Sequence, residues 1–159
     1  MAFESVASLN AEGRRTGRNR ARTDSVVLRR VWNNKKEKTE TYLIVRLGLD
    51  VMRSCRWVVG DRVDMLVDRE SGAVLIKRVL SNENGFVLSA QKMHKGTTKT
   101  ATFQVGYKGR ERALPDLEME KKIEIIHVTY SPEGLSLTLP LAMFRSKYGD
   151  RPAPLKSVG

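Results

Sequence analysis

Cysteine is all but missing from this chain. Cys55 stands alone among 159 residues, so no intrachain disulfide and no thiolate cluster for zinc can form. That scarcity predicts a reducing, cytoplasmic setting. Long apolar runs are missing too: none approaches the roughly 20 residues that a membrane-spanning helix requires, and no signal-peptide h-region is expected at the N-terminus. Signatures of catalysis are equally sparse, with no phosphate-cradling P-loop and no nucleophile elbow. His94 falls in a polar turn beside Lys95 and Gly96, and His127 alternates with Ile125 and Thr129 in a predicted strand. Asp61 and Asp64 are three residues apart, which puts them on opposite faces of a strand and disfavours a shared metal. No enzyme activity, metal or cofactor is expected. Neither an RNP-type aromatic motif nor a KH-type GxxG clamp is present, which disfavours a specialised RNA module.

Acidic residues are also in deficit, 18 against 29 Lys and Arg, for a net charge of +11. The imbalance is segregated. Residues 1–38 carry ten Lys/Arg and four acids, residues 141–159 carry four and one, and the interval between them is close to balance. Arg14, Arg15, Arg18, Arg20 and Arg22 place five arginines in nine residues, with Gly13, Gly17, Asn19 and Ala21 among them. Small and polar spacers leave the guanidinium groups free to follow a polyphosphate backbone.

With 40% hydrophobic and 30% charged residues the composition is globular, and the length suits one domain or two small repeated halves. Residues 1–24 read as a basic arm. Beyond it the chain is rich in strand signals: Val26–Trp32, Thr39–Leu47, Val63–Val67 and Ala73–Val79, with turns at Asn33–Lys38 and Asp68–Gly72. Leu49–Trp57 has helical spacing at Val51, Met52 and Cys55 and is broken by Gly60-Asp61. Pro140 is a natural first-turn residue, so a second short helix is predicted over Leu141–Tyr148, followed by a basic tail.

The strand pattern recurs about 60 residues on. Val26–Leu28 matches Phe86–Leu88, Val45 matches Val105, and Val63–Leu66 matches Ile123–Ile126. Gly72–Leu75 matches Gly134–Leu137 after a two-residue insertion. The expected fold class is therefore mainly β. Two related hairpin units, 25–80 and 85–140, form a small barrel or sandwich, with one short internal helix and a C-terminal helix over part of 141–159.

The order strand, short helix, Gly-Asp, then a hairpin with a glycine turn is carried by Tyr42–Leu47, Leu49–Trp57, Gly60-Asp61, Val63–Val67 and Gly72–Ile76. Thr39–Arg78 thereby resembles one half of the AbrB/MazE-type swapped-hairpin fold. The resemblance implies two halves interlocked into a small barrel that grips DNA with arginines, Arg53 and Arg56 lying near the contact. By size, charge and cysteine poverty alone, the chain is also similar to small phage-encoded proteins that bind single-stranded DNA and recruit RNA polymerase.

Cations beside aromatics recur at Arg29-Arg30-Val31-Trp32, Arg56-Trp57, Tyr107-Lys108-Gly109-Arg110 and Phe144-Arg145-Ser146-Lys147. Single-strand binders use that pairing, since bases stack on π-faces while cations hold phosphates. The candidate nucleic-acid contacts are the five arm arginines with Arg29, Arg30, Trp32, Arg53, Arg56, Lys92, Tyr107, Lys108, Arg110, Arg145 and Lys147. The function expected is DNA binding, favouring single strands, in transcription regulation or replication, by a homo-oligomer. Two alternatives stand beside it: a duplex-binding regulator, and a protein-interaction module whose basic arm meets an acidic surface.

Overall fold

Alternating β-branched and polar residues favour strands, and the backbone follows them. A computed structural model of the chain describes residues 23–80, 84–91 and 100–144. The five arm arginines, Lys92, Arg145 and Lys147 lie outside the described residues. In chain order the elements are β1 (Val26–Trp32), β2 (Thr41–Leu47), α1 (Leu49–Cys55), β3 (Arg62–Asp68), β4 (Ala73–Val79), β5 (Phe86–Val87), β6 (Ser89–Gln91), β7 (Thr100–Gly106), β8 (Lys122–Ile125), β9 (Thr129–Ser131) and β10 (Gly134–Thr138). A 3₁₀ turn follows at Leu141–Phe144.

Two antiparallel five-stranded sheets result, ordered β6-β7-β2-β1-β8 and β5-β3-β4-β10-β9. Their inner faces enclose one apolar core. Across the first sheet, Leu28 lies opposite Val45 and Val45 opposite Phe103, all buried. The second sheet contributes Val63, Val74, Ile76, Leu135 and Leu137, and α1 adds Val51 and Met52. Phe86 stacks on Phe103 with ring centroids 6.0 Å apart, joining the two layers.

The sheets do not close into a barrel. Besides its passage through α1 from β2 to β3, the chain crosses between them at two corners. At Leu88 it passes from β5 in the second sheet to β6 in the first, and the Leu88 amide and carbonyl pair with Asp61 O and Gly60 N. At Ile126–Val128 it passes from β8 in the first sheet to β9 in the second. Each crossing rotates the ladder from one layer to the other, which interrupts the hydrogen bonding a barrel would need.

The registers carry a two-fold relation. At the centre of the first sheet Ile44 faces Gln104, a residue 60 positions on, so exchanging partners by that offset leaves the β2–β7 ladder unchanged. In the second sheet Asp68 pairs with Ala73 around Gly72, and Tyr130 pairs with Leu135 around Gly134, the same placement relative to each turn glycine. Between the two, β1 pairs with β8 and β3 pairs with β5, so each half lends a strand to the other.

Among the described residues the predicted second helix is corrected to a 3₁₀ turn at Leu141–Phe144, and the rest of that prediction, 145–148, lies outside them. Met143 N bonds Pro140 O, but the Met143 carbonyl accepts from Asp116 N, and Phe144 O from Arg69. Carbonyls captured by neighbouring segments cannot propagate an α-helix. Helix α1 also ends two residues early, at Cys55, because Arg56 takes the left-handed conformation (φ 59°).

Candidate nucleic-acid interface

A strand sends successive side chains to opposite faces, and this rule divides the cations of β1. Arg30 follows Leu28 toward the core side, whereas Arg29 points outward with Val27 and Val31. The outer face of the first sheet is readable row by row. One row runs Glu124, Val27, Arg46, Thr102, Ser89; the next runs Lys122, Arg29, Ile44, Gln104; a third holds Val31, Tyr42 and Gly106. Arg29, Arg46 and Lys122 thus share this face with a half-buried Tyr42 and Ile44, with Gln104 and Ser89 exposed and Val27 and Val31 buried on it.

Arg29 Nη2 lies 3.2 Å from Glu120 Oε1, both side chains about one-third or more exposed. Such a pair is worth only about 0–1 kcal/mol, so an incoming phosphate can compete for it. Arg29 Nε is buried with no hydrogen-bond partner among the described residues. Arg46 makes no ion pair among the described residues.

The residues that follow the arm are held at one end of this sheet. Thr23 O accepts from Asp50 N at 2.8 Å, Thr23 Oγ1 donates to Asp50 Oδ2 at 2.6 Å, and Ser25 Oγ donates to Glu124 Oε2 at 2.8 Å. Gly48 permits the approach: a Cβ there would strike Thr23 O. Residue 23 is therefore anchored beside the row that carries Arg46.

Other predicted residues sit elsewhere. Arg30 stands 4.0 Å above the Tyr107 ring, with its Nη1 2.7 Å from Asp116 Oδ1 and its Nε on Thr41 Oγ1. Tyr107 is 3% exposed and donates to Pro115 O at 2.6 Å. Burial pushes the phenol up to about 12, with Arg30 pulling the other way and Asp116 adding to the rise. Neither residue can stack on a base; together they lock the 107–116 loop onto β1. Trp32 is half-buried at the end of β1, and Trp57 is packed in the core. Lys108 pairs with Glu40 at 3.4 Å, and the Arg110 guanidinium lies 5.7 Å from the Phe86 ring. Arg53 and Arg56 are exposed on α1 and its cap. Arg29, Arg30, Lys108 and Arg110 therefore do not form one stripe.

Tyr42, Ile44, Arg46 and Lys122 were not singled out by cation–aromatic adjacency, since their proximity arises across strands. Alternation along Thr41–Leu47 was the available signal. Among the described residues no group of three His, Cys, Asp or Glu gathers to hold a metal, and no helix is long and apolar enough to cross a membrane. No protein-family model, curated protein or solved structure matches the chain.

Proposed function

We propose that the protein binds DNA, favouring single strands, with the outer face of its first sheet and the arginine arm acting together. The observation that carries this reading is the placement of Arg29, Arg46 and Lys122 on the same outer sheet face as Tyr42 and Ile44, beside the anchored Thr23 and Ser25 that follow the arm. Cations at that spacing neutralise phosphates, and the tyrosine offers a π-face to a base. Among the described residues no long helix is available to enter a major groove, which favours an open strand over a duplex. On this proposal the protein coats or marks exposed strands in transcription or replication.

The registers support a companion proposal, that residues 25–80 and 85–140 are two related units. The exchanged strands, β1 with β8 and β3 with β5, are the kind of interlocking expected of the swapped-hairpin family, and they keep a duplex-binding regulator as the second reading.

Fluorescence anisotropy with labelled single-stranded, duplex and RNA oligonucleotides over a salt series separates these readings. Five arm contacts to a single strand give a slope of log K against log[salt] of about −3.5. A flat salt response, or binding unchanged after removal of residues 1–22 and by Arg46→Ala, rejects the proposal.

A further inference from the structure

Exposed aliphatic side chains are ordinary when scattered, but four of them lie at one end of the second sheet. Val58 is 64% exposed and Leu80 67%, with Val59 and Val87 beside them. Their grouping follows from the backbone. Val87 pairs with Arg62 and Arg62 with Val79, directly before Leu80. The Val58–Gly60 turn is fastened to the same corner by Gly60 N donating to Leu88 O.

The rim of this patch is cationic. Arg56 is exposed and makes no ion pair among the described residues, and Arg62 Nη1 reaches Gly85 O at 3.3 Å. Arg78 is more than half exposed, 4.0 Å from Asp61 Oδ2. The Asp61 carboxylate is already engaged, since its Oδ2 also accepts from Val58 N at 3.0 Å. Beside the patch a groove of about 480 Å³ runs between α1 and the β9–β10 turn, with Arg56 and Arg78 on one wall and Glu133 on the other.

A nucleic acid gains little from three valines and a leucine, because base stacking needs aromatic or guanidinium planes. A protein segment that brings its own aliphatic residues and carboxylates satisfies both the patch and its rim. We propose that this end of the second sheet docks an acidic, aliphatic protein segment, independently of nucleic-acid binding by the first sheet. The chain would then hold a strand on one face and a partner around the Leu88 corner.

Methyl NMR on the full chain, titrated with a short synthetic peptide alternating leucine and glutamate, tests this directly. Shifts should concentrate on Val58, Val59, Leu80 and Val87. Val87→Asp and, separately, Arg78→Glu should weaken binding about tenfold or more, while affinity for oligothymidine is unchanged by Val87→Asp. A lysine-for-glutamate peptide should not bind. The proposal is overturned if the acidic peptide leaves those methyls unmoved, or if the lysine peptide binds as well. It is equally overturned if oligothymidine shifts the same methyls, or if the chain self-associates through a contact that Val87→Asp abolishes.

Discussion

Two adjacent arginines have opposite roles because a strand turns them to opposite faces. Arg30 is held by Asp116, Thr41 and the Tyr107 ring with its side chain 16% exposed, so removing it deletes a part-buried ion pair, a hydrogen bond and a cation over the ring at once. Arg30→Ala should lower unfolding free energy by about 2–3 kcal/mol in urea titrations. Arg46→Ala should change stability by no more than about 0.5 kcal/mol but flatten the single-strand salt slope by about 0.7. The reverse ranking would place the interface elsewhere. Titration offers a second check at this scale. Burial raises the Tyr107 phenol to about 12 and the Cys55 thiol to about 11, so the native state keeps both protons longer than the unfolded chain. The associated stability is complete below the ordinary thiol and phenol values and declines as pH rises through about 9 to 12. Urea midpoints across that window should fall with pH, and Tyr107→Phe should shallow the fall. A flat profile in the wild-type chain contradicts the burial of these two groups.

At the scale of elements, turn glycines hold the two halves in contact. Gly72 (φ +80°) and Gly134 (φ +148°) both adopt backbone that side chains avoid, and a Cβ on either would strike the backbone of the opposite half, at Leu139 O just past β10 and at Ile76 O in β4. Gly60 (φ +101°) has open space around its Cβ position. Alanine at Gly72 or Gly134 should therefore cost about 2–4 kcal/mol, and at Gly60 only about 1 kcal/mol, from conformation alone. Thermal melts of the three variants test that order; equal losses would mean the close approach is relaxed by movement of the strands. These glycines, like β1, β4 and the Gly60-Asp61 turn, were legible in the sequence because local backbone chemistry dictates them. The first sheet's outer face was legible only in part: Arg29 was found through its neighbour Trp32, whereas Arg46 and Lys122 join it through cross-strand pairing. Tyr107 misled for the same reason, since its burial depends on Arg30 and Pro115, distant or unremarkable in sequence. The second helix failed because the Asp116 amide, arriving from another loop, takes the carbonyl that the next turn needs.

For the whole molecule the decisive feature is that each half completes the other's sheet. The first half supplies β1 and β2 to one layer and β3 and β4 to the other, while β7 and β10 from the second half pair directly with the central strands β2 and β4. Neither half encloses the core alone: Leu28 and Val45 need Phe103, and Val74 and Ile76 need Leu137 and Leu135. Chain continuity between Leu80 and Asn84 is then a connection rather than a structural requirement. Residues 1–80 and 84–159, produced as separate polypeptides, should each lack a cooperative monomeric unfolding transition. Mixed in equal amounts they should regain one, with the circular dichroism of the intact chain and its affinity for oligothymidine. The mixture loses only the effective concentration that covalent linkage provides, so its midpoint should rise with protein concentration. A cooperative monomeric transition in either fragment by itself would show that the halves are independent units, and the two-fold register at Ile44 and Gln104 would then be a packing contact between finished domains. If instead only the mixture folds, the arm, the cationic face and the arginine-rimmed patch belong to a single interlocked body, because β1 and β2 cannot be held in place without β7 and β8.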